Sequence, residues 1–175
     1  MPEPVRARGA FAGPALVSLA VVAGTALLGV AAGFLWIALA PRPLLVITSR
    51  GAAGLVNAES AAFIGADGTY CLICLAGGVV SGLLGYLFAV RRYGPLAMVA
   101  VIAGAVAAAY LTKWIGEQAG LATFHHQLAT LRTGARLRGS LTLGATGGLA
   151  CWPLAASLVA GGLVALANPA KRSID

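Results

Sequence analysis

The sequence predicts an all-α membrane protein: a bundle of four transmembrane helices with a small extracytoplasmic cap. Three observations lead there. Of 175 residues, 59% are hydrophobic and only 10% charged, against roughly 25% charged in an ordinary soluble domain. Four apolar stretches, at about 15–40, 70–90, 95–115 and 141–167, are each long enough to cross a hydrocarbon core of about 30 Å. The charges flank these stretches, as in Arg6 and Arg8, Arg91 and Arg92, and Lys171 and Arg172. Chains that have lipid as their solvent place charge in this way. The whole chain, 1–175, is read as one membrane domain.

Taken in order, residues 1–13 form a short basic tail. Ala15 to Ala40 runs without a charge, about 39 Å of helix at about 1.5 Å per residue. That is too long for the apolar region of a signal peptide, about 7–15 residues, so the segment is expected to be an uncleaved first span. Trp36 near its end is expected to anchor at the lipid interface. Pro41-Arg42-Pro43 stops the helix.

An external loop, 41–69, follows. Leu44 to Thr48 is rich in β-formers, Arg50-Gly51 reads as a turn and Leu55-Val56 as a short returning strand. Glu59 to Phe63 reads as one helical turn along the surface. Asp67 and Gly68 then stand at the entrance to the second span, Asp67 as its N-cap. Tyr70 to Val90 carries no charge and closes on Arg91-Arg92-Tyr93-Gly94. Pro95 suits the first turn of the third span, near whose end Lys113 and Glu117 are spaced to pair across one turn.

In the second external loop, 118–140, Leu121, Phe124, Leu128 and Leu131 recur at helical spacing among polar residues. This predicts a short amphipathic helix lying in the interface plane. Arg136 to Leu143 alternates polar and apolar residues, which predicts a short strand packed on the first loop. The fourth span, 141–167, is expected to kink at Pro153 and to stop at Asn168-Pro169.

Four spans put both termini on one side. The tails and the Arg91-Arg92 turn carry six Lys/Arg, and the two long loops, counted with Lys113 at the end of the third span, also carry six. The very short Arg91-Arg92 turn, where the positive-inside rule is strongest, places the termini in the cytoplasm and the chain in the plasma membrane. The net charge of +7 is assigned to lipid headgroups. No basic face with interleaved aromatics exists, so nucleic acid is not an expected partner.

Small residues at four-residue spacing, Gly29 and Gly33, Gly78 and Gly82, Gly144 and Gly148, are candidate interface positions. Such faces let helices approach closely in lipid, within the bundle or toward a partner membrane protein or a second copy. No nucleotide motif, Ser/His/Asp constellation or intramembrane ionisable residue is found, and no cofactor is implied. Adjacent helical residues point about 100° apart, so His125-His126 does not form a metal site.

Cys71 and Cys74 share a helix face and form the one candidate redox pair. This arrangement resembles the quinone-linked thiol oxidases, in which a CxxC opens the second of four spans. The resemblance implies a membrane thiol oxidoreductase using Cys71 and Cys74. The second cysteine pair of that family has no counterpart in residues 118–140, and no basic residue follows the CxxC. Cys151, ten residues into the expected fourth span and about 15 Å deep, is placed out of reach of Cys71.

Leu39-Ala40-Pro41, Phe63 to Gly68, and Cys151 to Ala156 together resemble a family of uncharacterised four-span integral membrane proteins of high-GC Gram-positive bacteria. That resemblance implies the topology and no activity. The functional expectation is a non-enzymatic plasma-membrane accessory subunit or scaffold, with the cap or the glycine faces as partner surface. The alternatives are the thiol oxidoreductase and a small oligomeric channel or lipid-binding protein.

Overall fold

The computed structural model describes residues 12–49, 52–55, 61–130, 132 and 134–167. The basic tails, the Arg50-Gly51 turn, Val56, Glu59, Leu131 and Asn168-Pro169 lie outside them. Four helices dominate. Helix α1 is Ala12–Leu39 and α2 begins at Ala61–Gly85. A π-helical turn, Tyr86–Val90, and a last α turn, Arg91–Tyr93, continue α2. Helix α3 is Pro95–Thr130. A 3-10 turn, Thr146–Ala150, leads into α4, Cys151–Ala167. All four are long and apolar enough to cross a membrane.

Gly94 joins α2 to α3 at φ 72° and ψ −152°, a backbone region that is essentially glycine-only. At the opposite end of the bundle three strands form an antiparallel sheet in the order β2-β1-β3. Strands β1 (Leu44–Ser49) and β2 (Ala52–Leu55) make the expected hairpin. Strand β3 (Arg136–Arg138) pairs with β1, setting Leu45 opposite Leu137. Among the described residues of this sheet Ile47 and Leu137 are buried, Leu137 between two exposed arginines as strand alternation requires.

The bundle is small inside and large outside. Ala32, Ala66, Ala105, Ala108, Ala156 and Ala160 are buried, whereas Leu16, Leu27, Phe34, Phe88, Leu96 and Leu158 face outward. Two seams hold it together: α1 packs most extensively on α3, and α2 on α4. A Cβ at Gly29 would stand 2.6 Å from the Ala108 Cα and carbonyl oxygen, and one at Gly33 2.9 Å from Ile115. In the other seam, Cβ atoms at Gly78 and Gly82 would meet the carbonyl oxygens of Trp152 and Ala156 at 2.6 and 2.7 Å. These four glycines therefore serve contacts within the chain, so they are not free faces for a partner.

Four expectations are corrected. Helix α2 starts at Ala61, well before residue 70, so the surface turn expected at its start is part of the span helix. No separate amphipathic helix forms, because α3 runs unbroken to Thr130. Hydrophobic spacing is the same whether a helix continues or lies flat. Pro153 does not kink the fourth span near its middle: it sits in the first turn of α4, where a missing amide costs nothing. Trp36 is not an interfacial anchor but wholly buried, and its indole N–H donates to the Ala66 carbonyl at 2.9 Å.

Candidate functional site

The polar groups of the bundle converge at the sheet end, where the chain enters its last span. After β3, residues 139–145 run without regular structure. A helix start leaves its leading amides without intrahelical partners, and Ala145, the N-cap of the 3-10 turn, supplies no side-chain cap. Two carboxylates from other helices take over. Asp67 of α2 accepts the Gly144 amide on Oδ1 at 3.0 Å and the Ala145 amide on Oδ2 at 2.9 Å. Glu117 of α3 accepts the Leu143 amide on Oε1 at 3.1 Å. Three successive amides are thus clasped between two helices. Negative charge at a helix N-terminus is also favoured by the helix dipole.

Asp67 is therefore a cap, but of the fourth span and not of the second. It lies inside α2, in its second turn, where an N-cap is geometrically excluded. Gly144 precedes the fourth helix and does not sit on a helix face. A Cβ there would lie 3.2 Å from Asp67 Oδ2, so glycine keeps the carboxylate close. Gly68 is exposed with open space at its Cβ position, and nothing in the structure explains it. Glu117 does not pair with Lys113 among the described residues; its partner is the Leu143 amide. The sequence carried one signal for this role. With only five acids in the chain, each one near a span end is a candidate for a backbone partner.

Replacing Asp67 with alanine is expected to cost about 1–2 kcal/mol, since it removes two charge-assisted hydrogen bonds to partly solvated amides. Asp67→Asn, which keeps one acceptor oxygen, should cost about half as much. Thermal midpoints of the detergent-solubilised variants measure this. An unchanged midpoint for Asp67→Ala would show that solvent satisfies those amides equally well.

Just inside the clasp lies a ring of aromatic and sulfur side chains. The Tyr70 hydroxyl donates to the Ala109 carbonyl at 2.7 Å, tying α2 to α3. Its ring meets Trp36 edge-on, with centroids 5.1 Å apart and planes at 70°. Trp152 donates its indole N–H to Ser81 Oγ at 3.1 Å, tying α4 to α2. Every buried side-chain nitrogen or oxygen among the described residues has a partner. Among those residues no group of three His, Cys, Asp or Glu converges as metal ligands would.

All three cysteines are free thiols. Cys74 is wholly buried and adjoins Tyr70, whereas Cys71 and Cys151 are half-buried and adjoin each other. The expected 15 Å separation of Cys151 from Cys71 is thus overturned. Residues 141–145 are not helical, so the fourth helix begins later and Cys151 opens α4 between the Gly148–Cys71 contact and the Trp152–Gly78 contact. Gly148, one turn earlier, packs on this site: a Cβ there would stand 3.3 Å from Cys71 Sγ and from the Tyr70 ring.

His125 and His126 are exposed on the final turns of α3, away from the clasp. No protein-family model, curated protein or solved structure matches this chain.

Proposed function

We propose that this chain is a non-enzymatic, multi-pass accessory subunit or scaffold of the plasma membrane, and that its sheet end docks a partner membrane protein. One observation carries the reading: α3 is 36 residues long. At about 1.5 Å per residue it extends about 54 Å, some 24 Å more than a hydrocarbon core. Its last turns expose Gln118, Ala119, Leu121, His125, His126 and Ala129. The exposed end of a helix that outruns the bilayer is a surface for something else.

Several features support the bilayer as solvent. The outward Leu, Val and Phe side chains would be a large unprotected apolar surface in water. In lipid they are the ordinary exterior, and alanine and glycine inside allow close helix packing. The Arg91-Arg92 turn between α2 and α3, kept to a single glycine, supports cytoplasmic termini and an extracytoplasmic sheet.

Among the described residues, large side chains fill the bundle toward its sheet end. Trp36, Tyr70, Thr112 and Trp152 are buried there, and transport pathways normally expose ionisable groups along a span. A pore would have to form between copies. Catalysis by Cys71 with Cys74 is disfavoured because Cys74 is wholly buried against Tyr70.

Affinity purification in mild detergent tests the proposal. A membrane protein should co-purify in fixed ratio and be lost when Leu121, His125 and His126 are changed together to serine, with the bundle still folded. A clean monomer without a companion, or a companion retained by the triple variant, would overturn it.

A further inference from the structure

We propose that Cys71 and Cys151 form a redox-active dithiol, a reversible covalent staple between α2 and α4. The pairing goes beyond the accessory role and does not depend on it. The geometry is built from two contacts and one helical spacing. A Cβ at Gly148 would stand 3.3 Å from Cys71 Sγ. In a 3-10 turn residues three apart share a face, so Cys151 follows Gly148 on the side that already touches Cys71, and the two thiols adjoin. One residue further on, the Trp152 carbonyl oxygen would be 2.6 Å from a Cβ at Gly78. That contact, two turns along α2 from Cys71, shows α2 and α4 side by side at backbone distance; a disulfide needs Cα atoms about 4.4–6.8 Å apart.

The alternative pair fits less well. Cys71 and Cys74 lie three apart on one α-helix, where Cβ atoms are about 5–6 Å apart, beyond the roughly 3.5–4.5 Å that a disulfide spans. Cys74 also has no solvent access, whereas Cys71 and Cys151 are both half-buried. They lie one turn inside the solvated Asp67 clasp. On an extracytoplasmic face that position meets an oxidising environment.

The oxidant class is a soluble disulfide. One cysteine thiolate attacks a sulfur of R–S–S–R, forming a mixed disulfide and releasing one RSH. The second cysteine thiolate attacks the protein-side sulfur, closing the Cys71–Cys151 bond and releasing the second RSH. Two electrons pass from the cysteine pair to the oxidant, and the two cysteine protons leave on the two released thiols.

The test uses the full chain purified reduced in mild detergent and treated with oxidised glutathione as probe. Intact mass, thiol labelling after denaturation and peptide mapping give the readouts. The expected result is loss of two hydrogens, a fall from three labelled thiols to one, and a Cys71–Cys151 linked peptide. Cys74→Ala should behave like the parent, and dithiothreitol should restore all the thiols. Three thiols surviving while a control dithiol oxidises would overturn the proposal. So would a lasting glutathione adduct, or Cys74 in the linkage. The peptide map needs no variant, so a poorly folding Cys71→Ser or Cys151→Ser protein would leave the test intact.

Discussion

Gly29→Leu should yield little or no monodisperse protein, while Gly24→Leu on the same helix should extract normally. At Gly29 even the first carbon of a side chain would stand 2.6 Å from the Cα and carbonyl oxygen of Ala108. Backbone atoms cannot rotate away, so α1 and α3 must separate along their whole seam. Overpacking in a tight interior usually costs about 1–3 kcal/mol, and here it also pulls Gly29 O from its 3.0 Å hydrogen bond with the Thr112 hydroxyl. A loss of about 3 kcal/mol or more is expected. Gly24 has nothing within 4 Å of its Cβ position, and replacing glycine by leucine in a helix gains up to about 1 kcal/mol. Size exclusion and thermal midpoints of the two variants decide the matter. Equal behaviour of the pair would mean that the α1–α3 seam is not the close contact described.

Trp36→Ala is expected to cost about 3–5 kcal/mol, the usual range for emptying a buried tryptophan site. Its ring is wholly buried, meets Tyr70 edge-on, and fills the space that a Cβ at Gly116 would enter. Three helices lose a common contact, and the Ala66 carbonyl loses its indole donor. In lipid this cost is mainly lost dispersion, because lipid tails are as apolar as the core. Trp114→Ala is the control. That ring is 54% exposed on α3, and its removal should shift the midpoint little. Tryptophan quenching and midpoints in the same detergent separate the two. A fall as large for Trp114 as for Trp36 would contradict the buried position.

The four long helices and their apolar exterior were legible from the length of the apolar runs and the charges that flank them. The hairpin was legible from the β-forming run at Leu44 to Thr48, and its third strand from alternation at Arg136 to Leu143. Long-range partners were not. Asp67-Gly68 carries the marks of a helix start, yet the helix runs through it. The Asp67 carboxylate is satisfied by amides at positions 144 and 145, far away in sequence. Residues 141–145 read as apolar span because hydropathy weighs Leu141 and Leu143. It does not register that their backbone is drawn out to two carboxylates. That shift of the helix start is why Cys151 was placed too deep. Trp36 looked like an interfacial residue because it stands near the end of a run, and no local pattern shows that its N–H finds a carbonyl on α2.

The two seams of the bundle also set an order of events during synthesis. Because α1 pairs mainly with α3, and α2 with α4, the most extensive contacts never join consecutive helices. The Gly29–Gly33 face must wait for α3 and the Gly78–Gly82 face for α4. The Asp67 carboxylate gains its partners only when residues 144 and 145 arrive. A chain stopped after α2 would leave both small-residue faces without their partner helices. The α2 seam and the Asp67 clasp are therefore complete only with the last helix and the residues that lead into it.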